Sequence, residues 1–319
     1  MKDQYVADIG DYGKYSLLKA FLDAGISVGI NRYLTEDDGT SDGNLTGYLK
    51  DGSKDSLDPY DPEVFEALKQ IIKTDRTVHG VEKSGLLSGC LFYGERMDFQ
   101  GSIKERREKR RIWHQKAMKS LSGAKLIFLD PDNGLREKRS TGKTAVKYTF
   151  ADEIRDYYDK GFNVVYYCHR GRRKADAWEK YKHIMSNILP DAHLIVLTYH
   201  KGTQRSYIFL THKKDYKRYS KIISLFLPKW EGKFYYDQSE LFEKLIAKKD
   251  EEAAMTGVIR PNPVYCRTCK WSHGKAPYAD TPEKANCMVY EKEFKPREVL
   301  FTGAKCAFYI ELKKEKTNN

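Results

Sequence analysis

Runs of apolar residues without polar alternation, spaced by segments of helical periodicity, constrain this chain more than any other feature. "AKLIFLD" (Ala124–Asp130) and "FNVVYYCH" (Phe162–His169) are apolar at consecutive positions, as strands are when a sheet is covered on both faces. "ISVGINRYL" (Ile26–Leu34), "RTVHGVE" (Arg76–Glu82) and "GCLFYGE" (Gly89–Glu95) read as further strands. Helical spacing marks residues 15–25, 61–73, 102–121, 150–161, 175–189 and 216–227. A strand that reaches the next one through a helix must lie parallel to it. The last two strands, "AHLIVLTYH" and "RSYIFLTHK", are joined only by "KGTQ", which makes an antiparallel hairpin. The expected fold is therefore α/β: a doubly wound, mainly parallel sheet with helices on both faces, ending in an antiparallel hairpin.

Local signals sharpen this outline. Asp61 and Pro62 mark a helix start, and Ser102 with Glu105 forms a capping box ahead of a long helix. "DIGDYGKY" (Asp8–Tyr15) has two readings: Asp11 caps the first helix, or Asp11 and Lys14 are offered to a ligand.

In open α/β sheets ligands bind beyond the C-terminal strand ends. Glu82, the acidic loop "EDDGTSDG" (Glu36–Gly43), "DPDN" (Asp130–Asn133) and His169 all fall at such ends, so the sequence predicts one pocket along one rim. "DPDNG" also suits a tight turn, and His169 also suits a strand cap. Cys168 reads as a small buried apolar residue.

Lys and Arg exceed Asp and Glu by twelve, which favours a polyanionic partner such as nucleic acid. "KERREKRR" (Lys104–Arg111) interleaves acids and reads as a solvated helix face. "HRGRRK" (His169–Lys174) has no such acids and follows a strand, so Arg170, Arg172, Arg173 and Lys174 are the expected phosphate contacts.

The order of elements, with an extra leading helix and a terminal hairpin, resembles the class I S-adenosylmethionine-dependent methyltransferase fold over roughly Tyr15–Tyr236. This resemblance implies that Glu82 binds the cofactor's ribose hydroxyls. It implies that the loop carrying Asp38, Gly39, Asp42 and Gly43 lies against the cofactor. It also aligns Asp130, Pro131, Asp132 and Asn133 with the "DPPY"-type tetrad of the amino-methylating branch. Asp132 replaces the second proline and Asn133 the base-stacking aromatic, and the first loop lacks a tight G-x-G. The implied activity is methyl transfer to an amino group, on nucleic acid. Two competing readings stand beside it. Asp130 and Asp132, one residue apart on extended chain, suit Mg²⁺, and with His169 they suit a metal-dependent phosphodiesterase or nuclease. A non-catalytic nucleic-acid-binding protein is the other.

Four of the six cysteines, Cys266, Cys269, Cys287 and Cys306, crowd the C-terminus. One C-x-x-C pair plus two separate cysteines is enough for a closed tetrahedral Zn²⁺ site, with an iron–sulfur cluster as the alternative. The expected organisation is an α/β domain over 1–245, a linker over 246–262 and a Cys₄ zinc-binding module over 263–319. No apolar run is long enough to span a bilayer and no signal core opens the chain, so a cytoplasmic location is expected.

Overall fold

The computed structural model describes residues 1–50, 57, 60–97, 99–140, 142–171, 173–201, 203–237, 264–272, 287, 289, 295, 299 and 305–311. The chain divides into two compact units, Met1–Tyr235 and Tyr236–Asn319. The predicted linker over 246–262 lies outside the described residues.

The first unit opens with α1 (Ile9–Asp23) and β1 (Val28–Asn31). Helices α2 (Pro62–Thr74) and α3 (Val78–Lys83) lead to β2 (Leu91–Tyr93), and α4 (Ile103–Ser120) leads to β3 (Leu126–Leu129). A small two-stranded sheet, β4 (Leu135–Arg136) and β5 (Thr149–Phe150), flanks a 3₁₀ turn over Lys143–Lys147. Helix α5 (Ala151–Asp159), β6 (Asn163–His169), α6 (Ala175–Lys182) and α7 (Ile184–Ile188) follow. The unit closes through β7 (His193–Lys201), β8 (Thr203–Thr211), α8 (Lys213–Phe226) and β9 (Phe234–Tyr236).

The main sheet has seven strands in the order β2-β1-β3-β6-β8-β7-β9. β1 pairs parallel with both β2 and β3, and β3 pairs parallel with β6. β8 runs antiparallel to β6 and to β7, which is the expected hairpin. Both faces of β3 are buried, and its residues alternate between two cores. Ile127 and Leu129 pack with Trp113, Ile154 and Tyr166 on the side of α4 and α5. Phe128 faces the Tyr207 ring on the other side, where Phe21 of α1 stacks on Phe209 and meets Tyr219 of α8. Trp230 gathers Tyr12, Phe226 and Phe234 around it. The expected α/β class with a mostly parallel sheet and helices on both sides is thus what forms.

Two local expectations change. "RTVHGVE" is a helix: Thr77 caps α3 by accepting the Gly80 N–H at 3.0 Å, and the buried Val78 and Val81 stand three apart, which is helical spacing. Glu82 therefore ends no strand. The first helix starts at Ile9, and its cap is Asp8, whose Oδ1 accepts the Gly10 N–H at 2.9 Å, so Asp11 lies inside the helix. The caps at Asp61 and at Ser102 with Glu105 form as expected.

In the second unit, two 3₁₀ turns (Val264–Thr268 and Lys270–Ser272) and a bridge between Cys269 and Glu311 surround a small core. Cys269, Trp271, Cys287, Val289 and Phe308 form that core, with Cys306 against it.

Candidate ligand cleft at the switch point of the sheet

Strand order reverses at β1 and β3. From β1 the chain crosses to β2 on one side, then returns to place β3 on the other and continues outward to β6. The loops leaving β1 and β3 therefore diverge, and a crevice opens between them, which is where ligands bind in sheets of this kind. A cleft of about 510 Å³ occupies this place. It is lined by Asp130–Asn133 beyond β3, Asp42 and Gly43 beyond β1, Tyr167 and His169 at the end of β6, and Arg205 at the start of β8. The first turns of α1 and Lys147 complete its wall.

Its floor is a buried ion network. Lys14 Nζ lies 2.7 Å from Asp11 Oδ1 and 2.9 Å from Asp130 Oδ2, with all three side chains almost wholly buried. Arg32, fully buried, reaches Asp130 Oδ2 at 3.8 Å, Glu82 Oε1 at 3.5 Å and the Tyr15 hydroxyl at 3.3 Å. Burial works against the Lys14 ammonium, but Asp11 and Asp130 override it and hold its pKa well above the ordinary lysine value. Burial pushes the Asp11 carboxyl up, with Lys14 opposing. Asp11 Oδ2 also accepts the N–H of Ala7, a residue held at φ +60°, so the acid secures a strained entry into α1.

Asp132 stands beside this network. Its Oδ1 accepts from the Met1 amino group at 2.6 Å, while its buried Oδ2 has no hydrogen-bond partner among the described residues. The same amino group donates to the carbonyls of Tyr33 and Asp130 at 3.0 and 3.3 Å. The turn itself is also structural. Asn133 N donates to the Lys147 carbonyl at 2.8 Å, and Gly134 holds φ +83° where a Cβ would come within 2.5 Å of Cys168 Cβ. Turn chemistry and pocket chemistry thus coincide in one segment.

On the opposite wall, His169 Nε2 and the Tyr167 hydroxyl are 2.6 Å apart. Burial, assisted by the Arg205 guanidinium, lowers the His169 pKa to about 4, so the imidazole is neutral at physiological pH. Arg205 pairs with His169 across β6 and β8, and its Nη2 donates to Asp8 Oδ1 at 2.7 Å. Gly10 makes this possible: a Cβ there would stand 2.2 Å from Arg205 Nε.

Of the residues expected from sequence, Asp130, Pro131, Asp132, Asn133, His169, Asp42 and Gly43 come together in the cleft. Asp38 and Gly39 do not line it: Asp38 pairs with Lys2 at 2.6 Å, and Gly39 faces open space. Glu82 sits in α3 on Arg32 and also stays outside. The acid just beyond β2 is Glu95, which is taken by Lys116 at 2.9 Å and Tyr93 at 2.9 Å. Arg170, Arg173 and Lys174 do not line the cleft either. Arg173 turns inward, donating to the carbonyls of His169 and Arg170 and stacking 4.3 Å over the Tyr181 ring. Arg172 lies outside the described residues. Sequence reasoning passed over Asp8, Arg32, Tyr167, Lys147 and Arg205. The readable signal was a charged residue directly at a buried strand's end, as in "VGINR" and "RSYIFL".

The four C-terminal cysteines line one cavity of about 10 Å³. Lys295 Nζ lies 3.1 Å from Cys266 Sγ, and burial raises the Cys306 thiol to about 11. Among the described residues no group of three or more His, Cys, Asp or Glu side chains is set to hold a metal ion. No described helix is long and apolar enough to cross a membrane.

No protein-family model matches the chain, and no curated protein matches it. Among solved structures it is similar to the crystal structure of protein LPL1258 from Legionella pneumophila str. Philadelphia 1 (family-model DUF519). The two share 13% identity and a TM-score of 0.38 over 73% of this chain and 95% of that one. At that TM-score the likeness carries no argument about function.

Proposed function

We propose that the cleft binds S-adenosylmethionine and directs methyl transfer to an amino group carried by nucleic acid. One observation carries this reading: "DPDN" stands at the rim of a crevice at the switch point of the sheet, with a buried acceptor, Asp132 Oδ2, left over. The cleft has the volume usual for small-molecule sites. The donor set also fits the cofactor. Asp42 and Asp132 suit its sulfonium and ammonium charges, and Lys147 suits its carboxylate. Two features do not fit: the ribose acid, since neither Glu82 nor Glu95 faces the cleft, and the first loop, whose Asp38 and Gly39 do not line it.

S-adenosylmethionine, when bound, supplies an electrophilic methyl group. The protein's share is orientation: no covalent protein intermediate is required, and an amine needs only acceptors that fix its lone pair. Asp132 Oδ2 and the Asp130 and Pro131 carbonyls take the N–H groups of the acceptor amine. Lys14 and Arg32 hold the Asp130 carboxylate in place from below. The neutral His169 with Tyr167 closes the far wall.

The test is thermal denaturation with and without S-adenosylmethionine, in the absence of added metal. At a hundred times the dissociation constant the cofactor stabilises by about 2.7 kcal/mol, a clear rise in Tm. Asp132→Asn keeps most of that rise and removes transfer of labelled methyl to RNA or DNA. No rise with the cofactor, together with a rise on Mg²⁺ or Mn²⁺ and nucleic-acid cleavage lost in Asp132→Asn, establishes the phosphodiesterase reading instead.

A structural Zn²⁺ ion in the second unit is part of the same proposal. It rests on the C-x-x-C pair and on Cys287 and Cys306 lining the same small cavity, although the four are not grouped closely enough here to hold an ion. Purified protein should contain about one zinc per chain by elemental analysis, and Cys269→Ser should reduce it. Protein that is folded and free of both zinc and iron rejects the metal.

A further inference from the structure

A second cavity lies back to back with the cleft. The 3₁₀ turn over Lys143–Lys147 is a wall of both: Lys147 lines the cleft, while Ala145 and Val146 line a cavity of about 220 Å³. This second cavity is lined also by Phe99, Arg106, Arg107, Arg110, Ser140 and Gly142, and no acid contributes to it among the described residues. It belongs to the same rim of the sheet, because the strand-end segments beyond β1 and β2 are tied there by the Met97 N–H donating to the Leu34 carbonyl at 2.8 Å.

The basic run on α4 divides into charges that are spent and charges that are free. Arg110 is buried and fully engaged, with Nε 2.6 Å from Glu153 Oε1 and further bonds to the Ala145 and Tyr148 carbonyls. Lys109 donates to the Gln100 carbonyl, Arg111 grips Glu108, and Arg106 donates to the Gly101 carbonyl. Arg107 is exposed, faces the second cavity and makes no ion pair among the described residues. A concave site offering the unpaired Arg107 guanidinium, a Ser hydroxyl and an aromatic ring, with no carboxylate among its described lining residues, is built for an anion next to a flat apolar group.

We infer that this cavity holds a backbone phosphodiester of a nucleic-acid acceptor, one residue of wall away from the cleft that takes the acceptor amine. Arg107 contacts the phosphate and Phe99 packs against the adjoining nucleoside. The inference rests on the methyl-transfer reading for the identity of the acceptor, and its test is independent of that reading.

The test is fluorescence anisotropy of labelled single-stranded RNA and DNA oligonucleotides across a salt series, on the full chain. Arg107→Ala should weaken binding about tenfold and lower the salt slope by about one. Arg107→Glu should weaken it further, and Lys104→Ala, on the same helix but outside the cavity, should change it less than twofold. The Tm rise given by S-adenosylmethionine should stay unaltered in all three. Whichever of RNA and DNA shows the Arg107-dependent loss is the acceptor class. Unchanged affinity and slope in Arg107→Glu, or no binding of either polymer at low salt, overturns the inference. A loss in Arg107→Ala with no cofactor binding in any variant retains the phosphate site and removes the methyl-transfer reading.

Discussion

The two cavities on either side of the 143–147 turn use charge in opposite ways. In the cleft, Lys14, Arg32 and Arg205 are each buried against a carboxylate. In the second cavity, Arg107 stands at the surface without an ion-pair partner among the described residues. A buried charge is held only if something neutralises it, so the cleft's cations serve to fix its acids. An exposed, unpaired cation costs the fold almost nothing and remains available to a partner. The difference separates positioning groups from contact groups on physical grounds alone.

Substitution should expose that difference in stability before any activity is measured. Lys14→Met leaves Asp11 and Asp130 buried together without their shared counter-ion, and should cost about 3–5 kcal/mol. Arg107→Ala should change stability by no more than about 0.5 kcal/mol. Urea denaturation of both variants is the measurement. A Lys14→Met protein as stable as the parent would mean that the carboxylates are solvated, and the contrast between the cavities would collapse.

How much of this was legible beforehand follows from what each signal measures. The consecutive apolar residues of "LIFL" and "NVVYYC" report burial on both faces, and the helices between successive strands make the covered sheet mainly parallel. The short loop "KGTQ" fixes the antiparallel end. The cleft was legible at Asp130–Asn133 and His169, because strand ends in such sheets converge. At Glu82 the local signal misleads, because Val78 and Val81, three apart, share one face of a helix. The cleft does not extend to Arg170, Arg173 or Lys174. A run of cations records composition, and only the fold shows that Arg173 is turned back onto its own loop. Arg205 was out of reach for another reason. Its partner Asp8 is 197 residues away in sequence, and only the pairing of β6 with β8 brings the guanidinium across α1.

The smaller effect tests the cleft wall rather than its floor. His169 is half-buried beside Arg205 and Tyr167, and its folded pKa is about 4 against an ordinary value of 6.5. Above pH 6.5 the imidazole is neutral in folded and unfolded chains alike, and its contribution is fully present. As pH falls from 6.5 towards 4, the unfolded chain takes up a proton that the folded chain refuses, so stability drops. The slope is at most about 1.4 kcal/mol per pH unit, less for a side chain that water still reaches. Below pH 4 both states are protonated and this contribution levels off. His169→Asn has no such proton to gain, so the difference in unfolding free energy between parent and variant should vary with pH only inside that window. A parent–variant difference that stays flat from pH 7 to pH 4 would show that the histidine is solvated, and that Tyr167 and His169 do not form a closed wall.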